Sequence, residues 1–158
     1  MNNTIENFAE ICEGFCNWSE APSGYGENEV QIAFAWLIKL VSSILQTPDA
    51  SCGEEIEAPS TSEEEWKAVY NRFSSLPIHY YATHFRSYNL SEPEPVTGDL
   101  ADDLADIYRD IKEGLWFYKN GYITEAVWSW RYSFQILILP TFSRQSPKRL
   151  VLPQMQPG

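Results

Sequence analysis

Residues 98–134, GDLADDLADIYRDIKEGLWFYKNGYITEAVWSWRYSF, decide how this chain folds. Leu100, Leu104, Ile107, Ile111 and Leu115 recur every three or four positions, the spacing that lays one apolar stripe along an α-helix. Asn120 and Gly121 follow, two residues that tolerate the left-handed backbone of a helix end. A second helical stretch then opens, with Thr124 placed to cap it and Val127, Trp130, Phe134 and Leu137 at helical spacing. Helices joined by so short a turn lie antiparallel, so the stretch specifies a helix hairpin. Trp128, Tyr132, Ile136 and Ile138 make the remaining faces of the second helix apolar as well, which predicts a place at the centre of a bundle or against a partner.

The first helix of the hairpin carries a second stripe, about one residue step around from the apolar one. Asp99, Asp103, Asp106, Asp110 and Glu113 stand at steps of four, three, four and three, which stacks their carboxylates on one face. Asp99 is also placed to cap this helix, with its negative charge on the positive dipole end. Such a stripe is either a metal site or a solvated face. The interleaved Arg109 and Lys112 relieve its repulsion through pairs such as Asp106 with Arg109, or Lys112 with Asp110 or Glu113, and favour the solvated face.

Toward the N-terminus, Asn3 and Glu6 form a capping box ahead of Ile5, Phe8, Cys12 and Phe15, the apolar stripe of a first helix. Pro22, Ser23, Gly24 and Gly26 break it, and Asn28 with Gln31 caps a second helix over residues 29–46 that Pro48 closes. Residues 47–62, TPDASCGEEIEAPSTS, show no periodicity and predict an exposed loop that varies freely. Ser62 and Glu65 form a further capping box before the stripe Trp66, Val69, Tyr70 and Phe73. A short helical piece is expected over IHYYATHFRSY, residues 78–88, after which Pro93 and Pro95 forbid helix until Asp99. The expectation is an all-α protein: a compact single-domain helical bundle of about five helices over residues 1–140, with a central antiparallel helix hairpin, followed by an irregular basic tail, 141–158.

Composition agrees. At 158 residues, 44% hydrophobic and 15% aromatic, the chain can fill one core. Its net charge of −11 repels phosphate backbones and makes a nucleic-acid partner unlikely on charge grounds. All 22 acids lie at or before Glu125, whereas Arg131, Arg144, Lys148 and Arg149 follow it; these cations could attract RNA, an anionic lipid or the protein's own acidic face, and the last needs no additional partner. The run from Val30 to Leu45 holds Gln31, Lys39, Ser42 and Ser43 and is too short and polar for a membrane span. Cys12, Cys16 and Cys52 are odd in number, and MNNTIENF lacks the pattern of a secretory signal, so a reduced cytoplasm is expected, with Cys12 and Cys16 buried as small hydrophobes.

Chemical motifs are sparse. Asp102, Asp103 and Asp106 spell DDLAD, similar to the magnesium-binding DDxxD of prenyltransferases, but the chain is about half their length and has no second such motif. All-helical nucleotide pyrophosphohydrolases offer a nearer analogy. Glu10 with Glu13, and Asp103 with Asp106 or Asp110 with Glu113, would supply their magnesium-binding pairs and activate water on a phosphoanhydride. His79 and His84 project about 140° apart on a straight helix and cannot chelate one ion together. Gly114, Phe117, Gly121, Ala126, Trp130 and Ser133 fall near the small and large positions of one tetratricopeptide repeat, of which about three are needed for a solenoid. Gly114 and Ala126 accordingly read as close-approach points between two bundle helices.

YNRFSSLPIHYY (70–81), VTGDLADDLADIYRDIKEGL (96–115) and AVWSWRYSF (126–134) together resemble an uncharacterised bacterial family, domain of unknown function 5063. The likeness spans about Phe8 to Phe134. It implies a compact all-helical domain and brings no reaction, ligand or catalytic residue. The family's last helix would continue with polar and aromatic residues, where this chain has ILILPTF and a proline-studded tail. That departure predicts exposed apolar surface and self-association as one outcome.

Two functions follow as expectations. The first is a non-enzymatic cytoplasmic protein-interaction module, without cofactor, presenting Trp128, Arg131 and Tyr132, residue types that dominate interface energetics. The alternative is a magnesium-dependent phosphohydrolase with Asp99, Asp102, Asp103, Asp106 and Asp110 as ligands or base.

Overall fold

The computed structural model describes residues 3–22, 27–51, 53, 55–74 and 97–138, with the side chains of residues 27, 28, 97–100 and 137 excepted. Five α-helices account for most of them: α1 (Asn3–Glu20), α2 (Glu27–Ile44), α3 (Glu63–Ser74), α4 (Thr97–Lys119) and α5 (Ile123–Ser133). A π-helical turn, Phe134–Ile138, continues α5. The expected helical piece at 78–88, both histidines, Cys52 and the tail 141–158 lie outside the described residues.

Helix α4 is the axis of the bundle and packs against α5, α3 and α1, while α1 also meets α2 and α3. The reason is its apolar stripe: Leu104, Ile107 and Ile111 are fully buried, and Leu115 nearly so. The stripes of α1 (Ile5, Phe8, Cys12, Phe15) and α3 (Val69, Phe73) close on it as their spacing predicts, with Trp66 and Tyr70 half-buried at the edge. Each buried Leu, Ile or Phe contributes about 1.5–3 kcal/mol, which is what holds the layers together. Cys12 and Cys16 are free and buried, as expected of small hydrophobes.

The hairpin turn is a Schellman motif. Gly121 has φ +87°, its N–H donates to Tyr118 O at 3.2 Å, and the Tyr122 N–H reaches Phe117 O at 2.9 Å. The rings of Phe117 and Tyr122 meet at 6.5 Å, the apolar contact that accompanies this motif. Tyr122 thereby ends one helix and starts the next as the N-cap residue of α5, without a side-chain cap. Thr124 is therefore not the cap: the tight turn starts the helix two residues earlier and leaves Thr124 exposed within it. Helix α4 likewise begins at Thr97, which puts Asp99 in its first turn and not at the cap. The Ser62–Glu65 capping box forms as expected: the Glu65 N–H donates to Ser62 Oγ at 3.0 Å and the Ser62 N–H to Glu65 Oε1 at 3.1 Å.

Residues 47–62 hold no regular structure where described, and most of their side chains are exposed, but parts of the segment pack on the bundle. Thr47 is buried, and Ala50, Ile56 and Ala58 pack against the core. Gly53 passes so close to α5 that a Cβ there would stand 2.7 Å from Glu125 Oε2. Arg72 makes the other long-range tie. Its guanidinium is buried over the Trp18 ring at 4.6 Å, donates to Ala21 O at 3.0 Å and pairs with Glu29 at 3.2 Å, joining the end of α1 and the start of α2 to α3.

Candidate functional site

The carboxylate stripe of α4 is absorbed by its neighbours. Asp106 accepts from Trp66 Nε1 on α3 at 2.9 Å. Asp110 accepts from Ser133 Oγ on α5 at 2.8 Å. Arg109 lies between the two carboxylates, 3.2 Å from each, so the Asp106–Arg109 pair expected from spacing forms and a guanidinium bridges the place a divalent ion would need. Asp102 is exposed and Asp103 half-buried, and the Asp99 side chain lies outside the described residues. Among the described residues no group of three or more His, Cys, Asp or Glu side chains is arranged to hold a metal ion. The stripe thus faces neither bulk water nor a pocket over its central part; it is the seam by which α4 holds α3 and α5.

Lys112 departs from its expected partners on its own helix. It reaches across to α1, where its ammonium donates to Glu20 Oε2 at 2.8 Å, and it donates also to the Tyr108 hydroxyl at 2.9 Å. Tyr108 in turn donates to Glu20 Oε2 at 2.6 Å. Burial raises the Glu20 carboxyl, but the two hydrogen bonds outweigh it and hold the group below its usual range. Burial and the Glu20 hydrogen bond push the Tyr108 hydroxyl up to about 12. Glu65 stands 3.8 Å from Lys112 on the other side.

This cluster divides two clefts. One, of about 520 Å³, lies between the ends of α1 and α3 and is lined by Ser19, Arg72, Asn71 and Tyr108. The other, of about 360 Å³, runs under residues 59–61 past Glu13, Cys16 and Glu113. Glu13 is occupied by Lys119 at 3.0 Å, so it does not join the α4 acids in an ion-binding set. Sequence spacing shows the Tyr108–Lys112 step of four but contains no signal for Glu20, which is 88 residues from Tyr108.

On α5 the three residues expected to form one surface divide. Trp128 and Tyr132 stack on each other with centroids 5.3 Å apart and planes 6° apart, and they are 36% and 51% exposed. Ile136, 54% exposed, continues the same strip along the chain. Arg131 turns the other way: it donates to Ile44 O at 3.2 Å, Thr47 O at 2.9 Å and Thr47 Oγ1 at 3.1 Å, and pairs with Asp49 at 2.9 Å. Its charge caps the C-terminus of α2, where unpaired carbonyls and the helix dipole favour a cation, and is not presented to a partner. Beside Trp128 a groove of about 370 Å³ runs between residues 55–57, α4 and α5, lined by Glu55, Ile56, Glu57, Glu113, Phe117, Glu125 and Ser129. Burial and the neighbouring Asp110 raise the Glu113 carboxyl above its usual range.

No helix among the described residues is long and apolar enough to cross a membrane. The profile of the family described as Domain of unknown function (DUF5063) matches residues 1–136. No curated protein matches. The crystal structure of protein BF1032 from Bacteroides fragilis superposes with a TM-score of 0.70 at 17% identity, covering 97% of this chain and 96% of that one. At that identity the likeness speaks to the fold.

Proposed function

We propose that this chain, which belongs to the DUF5063 family, is a non-enzymatic protein-interaction module of a reducing compartment such as the cytoplasm. The observation that carries the reading is the stacked, half-exposed Trp128–Tyr132 pair on α5. Two large aromatics held rigid against each other lose little side-chain freedom on binding, which is why such residues concentrate binding energy. The acids of α4 support it too, since Asp106 and Asp110 serve as acceptors for Trp66, Ser133 and Arg109. The reducing compartment rests on the buried, free Cys12 and Cys16.

The test is affinity capture from cells that express the protein, comparing the wild type with Trp128→Ala/Tyr132→Ala, a pair of exposed sites whose loss leaves the core intact. Proteins retained by the wild type and lost by the variant are expected. Equal retention by both, or none by either, would remove the proposal.

A further inference from the structure

The groove beside Trp128 combines an apolar floor with a carboxylate rim. Ile56 packs on the core, Phe117 is buried, and Trp128 forms an exposed wall. Glu55 and Glu57 are exposed on one side, and Glu113 stands on the other. The cations that form ion pairs among the described residues are committed elsewhere: Arg72 to Glu29, Arg109 to Asp106 and Asp110, Lys112 to Glu20 and Glu65, Lys119 to Glu13 and Arg131 to Asp49. None of the ion pairs among the described residues involves Glu55, Glu57 or Glu113, so the rim keeps its charge. The whole chain adds to that field with a net charge of −11.

We infer that the groove docks a cationic segment of a protein partner, seating an arginine or lysine side chain between the Glu55, Glu57 and Glu113 carboxylates and the Trp128 ring. This deepens the interaction role proposed above and rests on it. An aliphatic stem fits Ile56 and Phe117, and a guanidinium fits both carboxylates and an aromatic face. A second copy of this chain is a poorer occupant, because two surfaces of the same negative sign repel. Glu113 strengthens the case: burial and Asp110 disfavour its charged form, and an incoming cation would relieve that cost.

The probe is the fluorescein-labelled peptide Gly-Arg-Gly-Arg-Gly-Arg-Gly, titrated by fluorescence anisotropy against the full chain and two variants matched in charge. In Glu57→Gln/Glu113→Gln two of the three rim acids are neutralised; in Glu10→Gln/Glu63→Gln two exposed acids elsewhere are. The rim variant and Trp128→Ala are expected to weaken binding about tenfold or more, and the matched control to stay within about twofold of wild type. Equal weakening in both charge variants would mean attraction by the overall field alone and overturn the proposal, as would no binding at all. Sedimentation of the same samples adds a further arm: a dimer dissolved by Trp128→Ala, with no peptide bound, also overturns it. If affinity capture is lost in Trp128→Ala/Tyr132→Ala but unaffected in the rim variant, the cationic partner fails while the interaction module stands.

Discussion

The indole of Trp130 occupies the space that any side chain at residue 114 would need. An added Cβ on Gly114 would overlap Trp130 Nε1, and the same nitrogen donates to Ile111 O at 3.3 Å. Trp130 is wholly buried and meets the Phe8 ring edge-on at 5.0 Å, so this one contact sets the distance between α4 and α5 and ties both to α1.

Gly114→Ala therefore destabilises the protein although alanine is the better helix former by about 1 kcal/mol. Overpacking against a ring with no free space should cost about 3 kcal/mol net. Urea unfolding and near-ultraviolet circular dichroism measure it; a variant as stable as wild type would show that Trp130 can move away at no cost.

Arg131→Ala should cost about 2–4 kcal/mol, because it uncaps α2 and strands the Thr47 and Ile44 carbonyls. Asp49→Ala, whose side chain is 94% exposed, should cost under about 1 kcal/mol. Hydrogen exchange over residues 44–50 is expected to speed up in the first variant only. Similar exchange in both would mean that the guanidinium does not anchor the segment.

Removing the capping box by Ser62→Ala should cost about 1 kcal/mol. Gly121→Ala should cost a similar amount through its positive φ, having nothing within reach to clash with. The two sites are far apart in sequence and share no contact among those described, so the double variant is expected to show the sum of the single costs. Thermal unfolding of the four proteins provides the comparison, and marked non-additivity would contradict the independence of the two ends.

Stability should fall as pH rises above about 9. Burial pushes the Cys16 thiol from 9.0 up to about 12, keeps Cys12 well above its ordinary value, and raises the Tyr108 hydroxyl from 10.0 to about 12. Above the ordinary values the unfolded chain releases these protons and the folded chain keeps them, so unfolding gains up to about 1.4 kcal/mol per pH unit per group. Lys112 works in the same direction: its raised pKa adds stability that is fully present below 10.5 and is lost above it. Glu20, held low, acts at the acid end, its contribution present above 4.5 and lost as pH falls through its folded value. Urea midpoints against pH should show the alkaline decline, shallower in Cys12→Ala/Cys16→Ala; an identical slope in that variant would discount the thiols.

Local chemistry by itself determined the elements of this protein. The apolar stripes of α1, α3 and α4, the Ser62–Glu65 box and the left-handed Gly121 all depend on residues within a turn or two of one another, and periodicity and backbone preference act at that range. Cap positions slipped where a tighter local solution won: the Schellman turn starts α5 at Tyr122 and leaves Thr124 no role as a cap. The use of the polar side chains was decided only by the tertiary structure. Asp106 and Asp110 were legible as a stripe, but Trp66 and Ser133, which occupy them, lie 40 and 23 residues away. Arg131 sits on the helix that carries Trp128 and Tyr132, yet α2 is close enough to claim it. The groove brings residues 55–57 beside Phe117 of α4 and Trp128 of α5, neighbours that no local spacing predicts. A charged side chain takes the partner that the packed helices bring within about 3 Å, and apolar spacing fixes the helices without naming that partner.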